Sequence, residues 1–88
     1  MTQGTLKDIK QFYHPRYKKI FKYLEKNNAD NFEWDETCGI WLEMWCNIKN
    51  TKVKINIGID DNYHLWKNGE RFGRYSTQHD LLNELEKI

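Results

Sequence analysis

From Cys38 to Ile59 the chain alternates apolar and polar residues with a period of two, and a half-buried β-structure is what that period permits. Cys38, Ile40, Leu42, Met44, Cys46 and Ile48 fall on one face, with Trp41, Glu43, Trp45, Asn47 and Lys49 on the other. Val53, Ile55, Ile57 and Ile59 continue the pattern, opposed by Lys52, Lys54, Asn56 and Gly58. A turn at Asn50-Thr51 predicts the pairs Ile48–Val53, Cys46–Ile55, Met44–Ile57 and Leu42–Ile59, so that core meets core.

Asp60-Asp61-Asn62 is turn chemistry and pairs Ile59 with Tyr63 and Ile57 with Leu65. Asn68-Gly69 predicts a type I′ hairpin, because both residues tolerate positive φ. It pairs Lys67 with Glu70, Trp66 with Arg71 and Leu65 with Phe72. Before the strands, Tyr13, Tyr17, Ile20, Phe21 and Leu24 recur at helical spacing and define a helix from about Pro15 to Asn27. A helical turn over residues 5–13 precedes it, with Leu6, Ile9 and Phe12 facing inward and a break at His14. Residues 28–37 are polar and acidic and read as a loop, with Phe32 and Trp34 as anchors. Thr77 and Asp80 start a last helix whose apolar stripe is Leu81, Leu82, Leu85 and Ile88. The expected fold is therefore α+β in one domain over residues 1–88: a four-stranded antiparallel meander flanked by an N-terminal and a C-terminal helix (α-β-β-β-β-α).

The registers predict two rows on the face away from the core. One is Trp45, Asn56, Trp66 and Arg71; the next is Glu43, Gly58, His64 and Gly73, flanked by Trp41. Tryptophan and arginine are enriched where proteins bind one another, so Trp41, Trp45, Lys54, Asn56, His64, Trp66 and Arg71 form the candidate partner-binding set. Two arrangements remain open at this point. Either a helix covers the tryptophans, or both helices pack on the aliphatic face and leave the aromatic face to a partner.

Charge adds a second patch. Residues 1–27 hold seven Lys/Arg against Asp8 and Glu25, while residues 28–48 hold five acids and no base. Arg16, Lys18, Lys19, Lys22 and Lys26 make one side of the first helix basic, which suits nucleic acid or an acidic partner. The whole chain carries only +1, however, and the acidic segment would repel phosphate.

No catalytic set emerges. Glu43 and His64 share a row and such a pair can act as a general base, but no nucleophile stands beside it. Cys38 and Cys46, read as one strand, lie about 26 Å apart, beyond disulfide reach. No metal-ligand spacing and no cofactor motif is present, so no enzyme, cofactor or metal is expected. With no leader-like or membrane-length apolar run, the expected location is cytoplasmic, with no membrane partner and no small-molecule substrate.

Trp66-Lys67-Asn68-Gly69-Glu70-Arg71-Phe72-Gly73-Arg74-Tyr75-Ser76-Thr77 resembles the end of the AP2-type DNA-binding sheet and its following helix. That resemblance, over about a quarter of the chain, implies DNA contacts through Trp66, Arg71 and Lys54. The family's alanine-rich helix is replaced here by Leu81-Leu82-Asn83-Glu84-Leu85. The leading expectation is a binding or inhibitory protein acting on a protein partner. Small size and Asn, Lys and Ile bias give it the type of the inhibitors phages make against host machinery, anti-CRISPR proteins included. A nucleic-acid-binding module is the alternative. An antitoxin or immunity protein, using Asp30–Glu36 to mask a basic target, is the third.

Overall fold

A computed structural model of the chain describes residues 2–10, 17–37, 41–58 and 62–88. Among these, six strands form one antiparallel sheet in sequential order: β1 (Thr2–Gly4), β2 (Asp30–Thr37), β3 (Trp41–Ile48), β4 (Thr51–Gly58), β5 (Tyr63–Lys67) and β6 (Glu70–Tyr75). Helices α1 (Leu6–Lys10) and α2 (Lys18–Lys26) lie between β1 and β2, and α3 (Gln78–Leu85) closes the chain. The α+β class and the helices at both ends agree with expectation. The count of four strands is corrected to six.

The segment expected to be a loop is β2. Phe32 and Trp34 are buried and alternate with Glu33 and Asp35, a period of two that the surrounding acidic residues obscure. Asn31, at φ 54, sits where the β2–β3 register shifts between Asp30 and Glu33, so a bulge interrupts the alternation. β1 adds the outermost strand by pairing Gln3 with Glu33 and Gly4 with Phe32.

Two hairpin registers differ from expectation by two residues each. The first turn is Lys49-Asn50, both at positive φ, so Ile48 pairs with Thr51, Cys46 with Val53, Met44 with Ile55 and Leu42 with Ile57. On the other side of β4, Ile57 pairs with Tyr63, Ile55 with Leu65 and Val53 with Lys67. A slip of two keeps every side chain on its own face, so alternation alone does not distinguish these registers. The Asn68-Gly69 turn is as predicted, with φ of 51 and 84, and it pairs Lys67 with Glu70 and Trp66 with Arg71. Beyond it, Leu65 pairs with Gly73 instead of Phe72. Phe72 is the extra residue of a bulge and is 46% exposed, with the Lys67 ammonium 4.5 Å from its ring centroid.

The core lies on one side of the sheet. Leu42, Met44, Cys46, Ile48, Val53, Ile55, Ile57, Tyr63 and Leu65 are buried there beneath Ile9 of α1, Ile20, Phe21 and Leu24 of α2, and Leu81 and Leu85 of α3. A nine-residue helix is too short to be stable alone. Burying the three α2 side chains, at about 1.5–3 kcal/mol each, supplies the stability that local propensity lacks. α2 ends in a Schellman arrangement: Ala29 N donates to Leu24 O, and Asn28 N to Glu25 O, with Asn28 at φ 54. Thr77 caps α3 by accepting from Asp80 N at 3.1 Å, as expected. Thr5 and Asp8 cap α1 reciprocally, and these bonds to the Thr5 backbone and hydroxyl hold the Asp8 carboxyl below its ordinary range.

Phe12, the His14–Pro15 break, Arg16, the strand extension Cys38–Ile40 and the pairs involving Ile59 lie outside the described residues. No described helix is long and apolar enough to cross a membrane.

Candidate functional site

The two register differences are equal and opposite in effect, so they cancel across β4. Trp45, Trp66 and Arg71 still share one transverse row, now with Lys54 between the tryptophans where Asn56 was expected. β1 and β2 extend the row, which reads Gln3, Glu33, Trp45, Lys54, Trp66, Arg71 across all six strands. The neighbouring row is Asp35, Glu43, Asn56, His64 and Arg74. Gly58 is displaced from it and pairs with Trp41 at the end of β4. Gly73 is displaced too, because the Phe72 bulge moves Arg74 opposite His64.

Neither Trp45 nor Trp66 belongs to the buried cluster, and every described helix packs its apolar side on the opposite face. Among the described residues, therefore, no helix covers the tryptophans. Both are half-buried by their row neighbours, while Arg71 and Arg74 are exposed. The Lys54 ammonium lies 4.6 Å from the Trp66 ring centroid and 5.4 Å from that of Trp45. Arg71 stacks its guanidinium 5.7 Å from the Trp66 centroid and donates from Nη2 to His64 Nδ1 at 2.9 Å. A guanidinium has donors only, so Nδ1 is the acceptor in this contact. These contacts tie the long side chains of Lys54 and Arg71 to the two indoles and the imidazole across the row. A shallow hollow of about 330 Å³ lies between the tryptophans, lined by Trp45, Lys52, Lys54, Trp66 and Gly69.

Asn56 stands at the centre of the second row. Its Oδ1 is buried and has no hydrogen-bond partner among the described residues, a deficit of the kind that costs about 1–3 kcal/mol. It also separates Glu43 from His64, two strands apart, so the acid–histidine row survives with an amide in place of the expected glycine. No group of three or more His, Cys, Asp or Glu suited to a metal occurs among the described residues.

Of the predicted partner-binding set, Trp45, Lys54, Asn56, His64, Trp66 and Arg71 are brought together on this face. Trp41 is placed in β3, but its side chain lies outside the description. Lys18, Lys19, Lys22 and Lys26 are exposed on α2 and take no part in the face. Missed from sequence were Glu33 and Asp35, hidden in the segment read as a loop; Arg74, a sheet charge outside the predicted partner-binding set, is brought onto the face by the bulge. The Phe32/Trp34 alternation was the signal for the first two. No family model, no curated protein and no solved structure matches the chain.

Proposed function

We propose that this chain is a non-enzymatic binding module that acts by protein–protein contact through its tryptophan-bearing sheet face, in the manner of small phage-type inhibitors. The row Trp45–Lys54–Trp66–Arg71, on the side away from the helices, carries this reading. An exposed cation–π contact contributes only about 0.5–1 kcal/mol to folding. The same indole or guanidinium at the centre of an interface can be worth about 2 kcal/mol or more in binding. Trp66→Ala and Arg71→Ala should therefore leave the urea midpoint nearly unchanged and abolish retention of the partner captured from the native host. Unfolding of the domain by Trp66→Ala would reject the reading.

A nucleic-acid module is the second reading, favoured by two indoles flanking a lysine, where bases could stack. Phosphate crossing the same rows would meet Glu33, Asp35 and Glu43, which disfavours it. Fluorescence anisotropy with duplex and single strands separates the two. Sub-micromolar affinity with a steep loss on added salt would favour nucleic acid.

A further inference from the structure

The two outer rows are built as their own complements about β4. On the β2–β3 side stand Glu33, Asp35 and Glu43; on the β5–β6 side, at matching distances from β4, stand Arg71, Arg74 and His64. We propose that this face docks onto the same face of a second copy of the chain, related by a two-fold axis running along β4 in the plane of contact. The proposal rests on the reading of the face as a protein-docking surface and names its occupant.

Rotation about that axis lays β2 over β6 of the other copy, β3 over β5, and β4 over β4. Glu33 then meets Arg71, Asp35 meets Arg74, Glu43 meets His64, and Trp45 meets Trp66, each pair occurring twice as an isologous interface requires. A two-fold axis across the strands would instead lay acid on acid, so the charge pattern selects the axis. Asn56 falls on the axis in the second row. Two like-charged meetings fall on the axis, Lys52 with Lys52 and Lys54 with Lys54; the Lys52 side chain is exposed and can turn outward, and each Lys54 ammonium is already turned onto Trp45 and Trp66 of its own chain. Strands of the two sheets would run nearly aligned, which is an ordinary packing of sheet on sheet. The molecule measures 30 × 26 × 23 Å, so in outline a face can provide the roughly 600–1,000 Å² per partner of a specific interface.

Sedimentation velocity of the full chain over a wide range of concentration and salt tests this. The wild-type chain should form a dimer that weakens as salt rises. Glu33→Arg and Arg71→Glu should each weaken it roughly tenfold or more. Mixed in equal amounts, the two variants should recover a dimer, because the mixed pair meets Arg with Glu at both ends. Asn56→Asp, nearly isosteric, should also dissociate the dimer by placing two carboxylates on the axis, and thermal unfolding confirms that each variant is folded. A chain that stays monomeric, a dimer indifferent to all three substitutions, or singly reversed variants that do not recover on mixing would overturn the proposal. A monomeric chain that still loses its host partner on Trp66→Ala would reject only the second copy and leave the docking face standing.

Discussion

The hydroxyl of Tyr23 in α2 donates to the carbonyl of Leu85 in α3 across 2.8 Å, joining the two long helices over the core from sixty-two residues apart in sequence. Partial burial at this contact, with Glu86 nearby, raises the phenol above its ordinary value. Tyr23→Phe removes the donor and keeps the ring. The expected cost is about 0.5–1.5 kcal/mol, read as a lower urea midpoint at unchanged slope.

Ile55, on the central strand β4, is enclosed by apolar cross-strand neighbours on both sides. It pairs with Met44 on one side and Leu65 on the other, and its side chain is fully buried. Ile55→Ala should destabilise the domain by about 2–5 kcal/mol. A loss below about 0.5 kcal/mol, within the range of ordinary surface substitutions, would contradict the register.

Gly4 is required by close approach rather than by its backbone angle. A Cβ there would lie 2.8 Å from both Asp8 Oδ2 and the buried Trp34 ring. The carboxylate could swing aside at the expense of the α1 cap, but the indole is held by the core. Gly4→Ala should cost about 1–3 kcal/mol. Faster amide exchange in β1 and α1 than in β4 would locate the damage.

Burial pushes the Cys46 thiol from its ordinary value of 9.0 up to about 12, with Asp30 adding to the effect. The folded value lies above the unfolded one, so the favourable contribution is fully present below about pH 9. It is lost as pH rises toward 12, because the unfolded chain gives up its proton first. Between those limits stability should fall by at most about 1.4 kcal/mol per pH unit from this group. Tyr23 and Tyr75 are raised by burial too and act in the same direction at higher pH. The diagnostic comparison is therefore the slope of stability against pH in Cys46→Ala, which should be shallower than in the wild type. The native thiol should also resist aromatic disulfide reagents until the chain unfolds.

Lys67 shows how one polar side chain joins sheet to helix. Its ammonium reaches the Glu84 carboxylate at 3.4 Å and the Glu84 carbonyl at 3.3 Å, with both side chains largely buried. Lys67→Met keeps the aliphatic stem and leaves these acceptors at the end of α3 without that donor. A loss of about 1–3 kcal/mol is expected from denaturant unfolding.

Much of this chain is legible without coordinates, because the determining interactions are local. Side-chain direction reverses at every strand residue, so Leu42 through Ile57 sort into faces by position alone. Asn68-Gly69 defines its turn through its own tolerance of positive φ, and Thr77 finds the amide of Asp80 three residues on. Tertiary structure decided what these rules leave degenerate. A register shifted by two satisfies the same alternation, and only the whole sheet selects Lys49-Asn50 as the turn and Lys54 as the residue between Trp45 and Trp66. Residues 30–37 become a strand because Phe32 and Trp34 join the buried core beside α1, a contact no local propensity encodes. The Phe72 bulge likewise exists only in the paired hairpin, where one extra residue moves Arg74 onto the face that Arg71 already occupies.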